Sequence, residues 1–227
     1  MPKSRGRGRR RPIGRKRPVG SGIARARVLI VCEGQQTEPR YFEALCRRLG
    51  ITRDEVVVSA SRCGSHPMSV VECACRVARA ASKGDARSQS AFDSVWCVFD
   101  RDDHDNVDVA MGTARERGFR VAFSNPCFEL WFLLHFEYSS AEMTSADACA
   151  RLRRYIPNYG KSSDVLDLLI PQQRRAAINA QRLRRYHLRA QDPPSRNPST
   201  TVDRLVTELM QVATADSGVV TGAVCPC

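Results

Sequence analysis

The sequence lacks the features that mark membrane and secreted proteins. Its longest largely apolar run covers residues 130–136, which is far short of the roughly 20 residues that span a bilayer. No apolar stretch directly follows the basic N-terminus, so this end does not resemble a secretory signal. We therefore expect a cytoplasmic protein with no membrane partner.

The cysteines lack the spacings of a zinc site or a disulfide framework. None of the ten forms a CxxC pair, and the CxC pairs at residues 73–75 and 225–227 have no second ligand pair of matching spacing. Cys32, Cys97 and Cys127 lie in or beside apolar segments, where cysteine packs as a small hydrophobic residue. We interpret the cysteines as reduced thiols in a reducing compartment.

Acidic residues are absent from the first 27 positions, which contain eleven Lys or Arg interleaved with Gly and Pro. Removing these eleven from the 36 basic residues leaves 25 against 24 acids, so eleven of the twelve net positive charges reside in the tail. A segment of this composition cannot bury a core and is predicted to be disordered. Arginine tails attract phosphate backbones through counterion release, so we favour a nucleic-acid partner over a tail that only aids solubility.

Apolar β-branched runs alternate with helical patterns over the first part of the chain. Strands are predicted at residues 27–32, 55–60, 94–99 and 119–123, and helices at 38–49, 67–81, 107–117 and 127–136. This alternation predicts an α/β fold with a mostly parallel sheet sandwiched by helices.

Beyond residue 142 the patterns are helical, with no convincing strand. Helices are predicted at residues 146–155, 165–169, 174–188 and 200–212. The chain is accordingly divided into a disordered basic tail (1–27), an α/β domain (28–140), a C-terminal helical addition (141–215) and a flexible C-terminus (216–227).

Acidic residues directly follow two of the predicted strands. Glu33 comes after the first strand, and Gly34 permits a tight turn; Asp100 comes after the third strand, with Asp102 two residues further on. The carboxyl ends of parallel strands meet at one edge of a sheet, so we expect these side chains to converge. Clustered carboxylates repel each other unless a cation holds them, and oxygen ligands select Mg²⁺ or Mn²⁺. The alternative is that the acids after the third strand only cap the next helix.

Four stretches, in this order, resemble the RloB family: LIVCEGQQTEPRYF at residues 29–42, VFDRDDH at 98–104, SNPCFELWFLLHF at 124–136 and NPSTTV at 197–202. RloB-like proteins are similar to the Toprim fold of topoisomerases, bacterial primases and OLD-type nucleases. The resemblance implies a Toprim-like domain in which Asp100 and Asp102 carry Mg²⁺ (or Mn²⁺) beside Glu33, the general acid or base. It also implies antiphage defence, in which relatives occur beside an ABC-type ATPase subunit.

Further residues are candidates for supporting roles. Glu129 and His104 are candidates for the metal site, while Ser124 and Asn125, at the start of the fourth predicted helix, are candidate donors to phosphate. Other candidate phosphate contacts, each with a solvated surface as the alternative, are Tyr159 and Lys161 and the arginines Arg174, Arg175, Arg182, Arg184, Arg185 and Arg189. His135 lies in an apolar helix and is predicted to be a packed core histidine.

The sequence supports two classes of function. The first is a Mg²⁺-dependent nuclease that hydrolyses phosphodiester bonds, with RNA such as tRNA expected ahead of DNA because no accessory DNA-gripping domain is evident. The second is a non-catalytic nucleic-acid-binding module, or a regulatory subunit of an ATPase-linked defence complex, whose carboxylates are structural. The acids Glu33, Asp100 and Asp102 favour the nuclease, since a pure binding protein has no need of groups that repel phosphate.

Overall fold

The computed structural model of the protein describes residues 26–60, 66–82, 92–101, 106–193 and 195–216. The predicted disordered tail therefore lies almost wholly outside the described residues, as do Asp102 and His104.

A five-stranded sheet lies at the centre of the fold. Its strands are β1 (Val28–Cys32), β2 (Val56–Ala60), β3 (Ser94–Asp100), β4 (Arg120–Asn125) and β5 (Ser199–Thr200), in the spatial order β2-β1-β3-β4-β5. The first four strands are parallel, and β5 runs antiparallel to β4. The predicted α/β fold with a mostly parallel sheet flanked by helices is confirmed.

Strand β1 shows why both faces of the sheet are covered. All five of its residues are buried, as a continuous apolar run predicts for a central parallel strand. Val28, Ile30 and Cys32 belong to the hydrophobic cluster on one face, and Leu29 and Val31 belong to the cluster on the other.

Eight α-helices fall within the described parts of the chain. They are α1 (Thr37–Leu49), α2 (Pro67–Ser82), α3 (Val107–Glu116), α4 (Glu129–Leu133), α5 (Ser145–Leu152), α6 (Leu166–Leu169), α7 (Gln173–Arg189) and α8 (Val202–Asp216), with a 3-10 turn at Ile170–Gln172. Helices α2 and α3 supply the cluster that contains Leu29, whereas the other six share the cluster that contains Ile30. None of the helices in these ranges is long and apolar enough to cross a bilayer.

Two sequence predictions about these elements are wrong. Helix α4 covers five residues rather than 127–136; after it, His135 N and Phe136 N bond to carbonyls three residues back instead of four, the tighter pattern typical of a helix end. The last helix begins at Val202 rather than at residue 200, because residues 199 and 200 form β5.

Strand β5 is fixed by its partner rather than by its own sequence pattern. Thr201 N bonds to Phe123 O at 2.9 Å, and the Thr201 hydroxyl bonds to Val121 O at 3.1 Å. A two-residue strand is too short to show alternation, and such pairing depends on the neighbouring strand more than on local propensity.

Candidate active site at the ends of strands β1 and β3

The structure brings Glu33 and Asp100 together at one edge of the sheet. Glu33 directly follows β1, and Asp100 is the last residue of β3 rather than the residue after it. The backbone N–H of Glu33 donates to Val98 O at 2.9 Å and extends the β1–β3 pairing by one residue. The N–H of Asp100 then donates to Glu33 Oε2 at 3.3 Å. Strand adjacency therefore produces the convergence that the sequence predicted.

Asp100 is also held from the segment that precedes α4. Its Oδ2 accepts a hydrogen bond from the backbone N–H of Phe128 at 2.9 Å. The carboxylate thus links the end of β3 to the start of the motif that carries Glu129, and this contact limits its rotation.

A cleft of about 390 Å³ opens at this edge of the sheet. Its lining comprises Glu33, Gly34, Gln35, Gln36, Thr37, Glu38, Asp100, Phe128, Glu129 and Lys161. Four of these side chains are carboxyl groups, and Lys161 carries the one positive charge among the described residues of the lining. The cleft is therefore strongly acidic.

Glu38 is a cleft residue that the sequence did not single out. It lies in the first turn of α1, where an acid is expected simply to complement the helix dipole. Its side chain is buried, and Oε1 accepts a hydrogen bond from Gly34 N at 3.2 Å. Any side chain at position 34 would overlap this carboxylate. The Gly34–Glu38 spacing is thus the signal that sequence reasoning overlooked.

The pKa of Glu38 is raised above its ordinary value. Burial is the main cause, and the nearby charge of Glu129 adds to it, while hydrogen bonds from backbone N–H groups and the charge of Lys161 act in the opposite direction. Burial in the cleft therefore makes the charged form of this carboxyl group less favourable than it is in water.

Glu129 is positioned by a tyrosine from a distant part of the chain. The Tyr159 hydroxyl donates to Glu129 Oε1 at 2.9 Å, and both side chains are buried. Burial, followed by the charge of Glu129, raises the pKa of Tyr159, so its hydroxyl stays protonated as a donor. Tyr159 therefore orients Glu129, whereas the sequence analysis named Tyr159 as a candidate phosphate contact.

Lys161 reaches the rim of the cleft because its loop is pinned to α1. The Thr37 hydroxyl donates to Lys161 O at 3.4 Å, and Arg40 Nη1 donates to Ser162 O at 2.9 Å. The exposed ammonium group thus lies beside the acidic cleft.

Ser124 and Asn125 are the last residues of β4 and lie before α4, so the prediction that they are donors at the start of this helix is wrong. The Ser124 hydroxyl is fully buried and lies 3.2 Å from Thr200 Oγ1. Asn125 Nδ2 donates to Ser195 O at 2.8 Å. Neither side chain lines the cleft; both join the motif at 124–129 to the segment around β5.

The basic residues of α7 do not line the acidic cleft. Arg182 and Arg185 are exposed and line a groove that shares no residue with the cleft. Arg184 turns inward and forms a bidentate pair with Asp203, with both N–O distances at 2.7 Å. The predicted basic set is therefore divided between the surface and the interior.

His135 is a packed core histidine, as predicted. It is fully buried, and its Nδ1 lies 2.9 Å from Trp131 O. Burial lowers the pKa of His135 to about 4, so the ring is neutral at pH 7.

The donor chemistry of the cleft suits a hard cation, because Glu33, Glu38, Asp100 and Glu129 offer only carboxylate oxygens. Within the described ranges no group of three His, Cys, Asp or Glu residues is placed to hold a metal ion. The third acid of the predicted set, Asp102, lies outside those ranges, as does His104.

The family model for RloB-like protein matches residues 28–209. The chain belongs to the RloB-like family. The match begins at β1 and ends within α8, so it includes every residue of the acidic cleft. It confirms the resemblance that the four motifs indicated. No curated protein and no solved structure matches the chain.

Proposed function

We propose that this RloB-like protein is a nuclease of the Toprim type that uses Mg²⁺ or Mn²⁺ to hydrolyse phosphodiester bonds in nucleic acid. The observation that carries the proposal is the contact between Asp100 N and Glu33 Oε2, at the ends of neighbouring parallel strands in an acidic cleft. Ligand sites of open α/β sheets lie at the carboxyl ends of the strands.

The metal ligands in this proposal are Asp100 and Asp102, with Glu33 beside them. When bound, the cation supplies charge neutralisation at the phosphate and activation of water. Asp100 suits this role because its carboxylate is fixed from one side by Phe128 N and lines the cleft.

Glu33 is the proton-transfer group of the proposal. It accepts a proton from the attacking water or returns one to the leaving oxygen, and general acid–base catalysis of this kind contributes about 10²- to 10⁴-fold. Glu38 acts on it as a positioning residue, because its bond to Gly34 N holds the turn that directly follows Glu33. Lys161 attracts the substrate phosphate to the rim of the cleft.

RNA is proposed ahead of DNA, and a role in cytoplasmic antiphage defence with an ABC-type ATPase subunit is proposed with it. The support is the basic tail and the family resemblance. Fold and family analogy carry this part of the proposal. The cysteines of the described segments are free thiols, which suits a reducing compartment.

The test is incubation of the purified full chain with tRNA, rRNA and plasmid DNA in Mg²⁺, Mn²⁺, Zn²⁺ or EDTA. We expect cleavage with Mg²⁺ or Mn²⁺, and none with Zn²⁺ or EDTA, because oxygen ligands do not favour zinc. Asp100→Asn and Glu33→Gln should each reduce the rate by about 10²-fold or more.

Matched controls remove the same groups from exposed positions outside the cleft: Asp54→Asn in the loop before β2 and Glu72→Gln on α2. Both should cut at the wild-type rate. Cleavage that resists EDTA, or that survives both cleft variants, would contradict the proposal. Binding of nucleic acid without cleavage under every condition would favour the non-catalytic binding module.

A further inference from the structure

Helix α7 presents a basic face to solvent. Its seventeen residues include six arginines and no Asp or Glu. Ala176, Ala180 and Leu183 face the core and are fully buried. The outward positions include Arg174, Arg175, Ile178, Gln181, Arg182, Arg185, Tyr186 and Arg189, and Leu188 is also exposed.

Nearby acids do not neutralise this face. Glu137 is engaged by Arg151 and by the Tyr155 hydroxyl, and Asp192 lies near Arg196 and His187. Among the described residues, no hydrogen bond or ion pair engages the guanidinium groups of Arg185 and Arg189. Their charge is therefore available to a ligand.

The same face carries aromatic and apolar surface. A groove of about 390 Å³ is lined by Tyr138, Ile178, Arg182, Arg185, Tyr186 and Arg189, among others. Tyr186 is 46% exposed and Ile178 is 53% exposed, so both side chains are accessible to a ligand. Cations interleaved with exposed rings characterise surfaces that bind unpaired nucleic acid.

Arg182 is already arranged for stacking. Its guanidinium carbon lies 3.9 Å from the centroid of the Tyr138 ring. The contact with the ring restricts the guanidinium, which reduces the entropy lost on binding. A guanidinium held in this way offers its opposite face to a nucleobase.

A protein partner with an apolar interface fits this face less well. Burying Arg182, Arg185 and Arg189 against a neutral surface would remove three charges from water without compensation. A polyanion supplies that compensation along its whole length, and the positions i, i+3 and i+7 lie on one face of the helix.

We infer that the outer face of α7 binds a single-stranded segment of nucleic acid, separately from the acidic cleft. Arg182, Arg185 and Arg189 contact phosphates, while Tyr186 and the Tyr138–Arg182 layer stack on unpaired bases. The inference rests on the proposed function, which makes nucleic acid the substrate, and it adds that the substrate has an unpaired segment. The groove and the cleft share no residue, so binding is separable from cleavage.

The experiment measures fluorescence anisotropy of labelled single-stranded RNA, single-stranded DNA and the matching duplex with the full chain. It is done in EDTA over a series of salt concentrations. The R182A/R185A double variant should bind both single strands at least tenfold more weakly at 0.15 M salt. The plot of the logarithm of the association constant against the logarithm of salt concentration has a negative slope, and its magnitude should decrease by about 1.4. Each of the two lost phosphate contacts contributes about 0.7 on a single strand.

Tyr186→Leu tests base stacking separately from charge. It should weaken single-strand binding roughly fivefold or more, with the salt slope unchanged and duplex binding little affected. The matched control is R47A/R48A on α1, which removes two exposed arginines from another face and should change affinity by less than twofold. All the substituted side chains are exposed, so the fold should be retained.

Equal loss in R182A/R185A and R47A/R48A would overturn the inference, since binding would then depend on charge anywhere in the chain. An unchanged affinity in Tyr186→Leu would overturn the assignment to unpaired bases. Because the assay contains no metal, its outcome is independent of cleavage. A working nuclease with normal binding by the α7 variants would overturn this inference alone, and α7-dependent binding without any cleavage would overturn the proposed nuclease alone.

Discussion

The hydrogen bond between Tyr159 and Glu129 gives a quantitative test of how the cleft is held. In Tyr159→Phe the aromatic ring remains, including its edge-on contact with Phe132 at a centroid distance of 6.0 Å. The hydroxyl is lost, and with it the 2.9 Å bond to Glu129 Oε1. The perturbation therefore removes one hydrogen bond and little packing.

The expected cost follows from burial of both partners. A hydrogen bond to a charged group contributes about 1.5–3 kcal/mol, and a buried acceptor left without its donor bears a desolvation penalty. Tyr159 and Glu129 are each 5% exposed, so water replaces the hydroxyl poorly. For a domain of this size, a loss of that magnitude lowers Tm by roughly 3–12 °C.

The assay is urea unfolding of the wild type and of Tyr159→Phe at pH 7, with the expectation of a lower midpoint at an unchanged m-value. Tyr155→Phe is the matched control, because Tyr155 donates to Glu137 Oε2 at 2.8 Å but is 42% exposed. That variant should unfold close to the wild-type midpoint. If Tyr159→Phe is no less stable than Tyr155→Phe, then Tyr159 does not hold Glu129 and this account of the cleft is refuted.

Three further predictions follow from other contacts. Mg²⁺ should raise Tm without nucleic acid, because a ligand of the native state stabilises it; Asp100→Asn should abolish the rise, and an equal rise in that variant would contradict the proposed site. The pKa of His135 is about 4 in the native state against an ordinary 6.5, so between these pH values the unfolded state binds a proton that the native state does not. The free energy of unfolding is therefore highest above pH 6.5 and declines as the pH falls toward 4, by about 2 kcal/mol between pH 7 and 5. Urea unfolding at both pH values should show a smaller decline in His135→Gln. Arg184→Met should cost about 3 kcal/mol because the carboxylate of Asp203 loses its buried partner; the R184M/D203L double variant should melt above the single variant, and a lower Tm would contradict this.

The sheet and the meeting of Glu33 with Asp100 were predictable because they depend on short-range patterns. Central parallel strands are buried on both faces and therefore appear as unbroken apolar runs, as β1 does. Strand–helix alternation then orients these strands in the same direction. The residues that follow the strands therefore lie at the same edge of the sheet. The prediction needed no knowledge of any particular side-chain contact.

The remaining parts of the site depend on contacts between distant residues. Tyr159 lies thirty positions from Glu129, and β5 pairs with a strand more than seventy positions earlier. The hydrophobic periodicity of the sequence does not identify contacts between residues so far apart. Helical spacing places Arg182, Arg185 and Arg189 on one face, and all three are exposed. The inward turn of Arg184 depends instead on Asp203 and on the carbonyl of Thr200, which lie far from it in sequence.

The charges around the cleft connect its stability to its proposed chemistry. Two carboxylates at about 4 Å repel each other by about 4 kcal/mol at an effective dielectric constant of 20, and here four carboxyl groups face one lysine. Protonation relieves part of such repulsion: burial is the main cause of the raised pKa of Glu38, and the charge of Glu129 adds to it. Backbone N–H groups relieve another part, at Glu33 and Asp100. In the proposed mechanism a bound cation would relieve the repulsion without consuming the proton-transfer capacity of Glu33, so the carboxylates that would hold the metal would also leave Glu33 available as the base for hydrolysis.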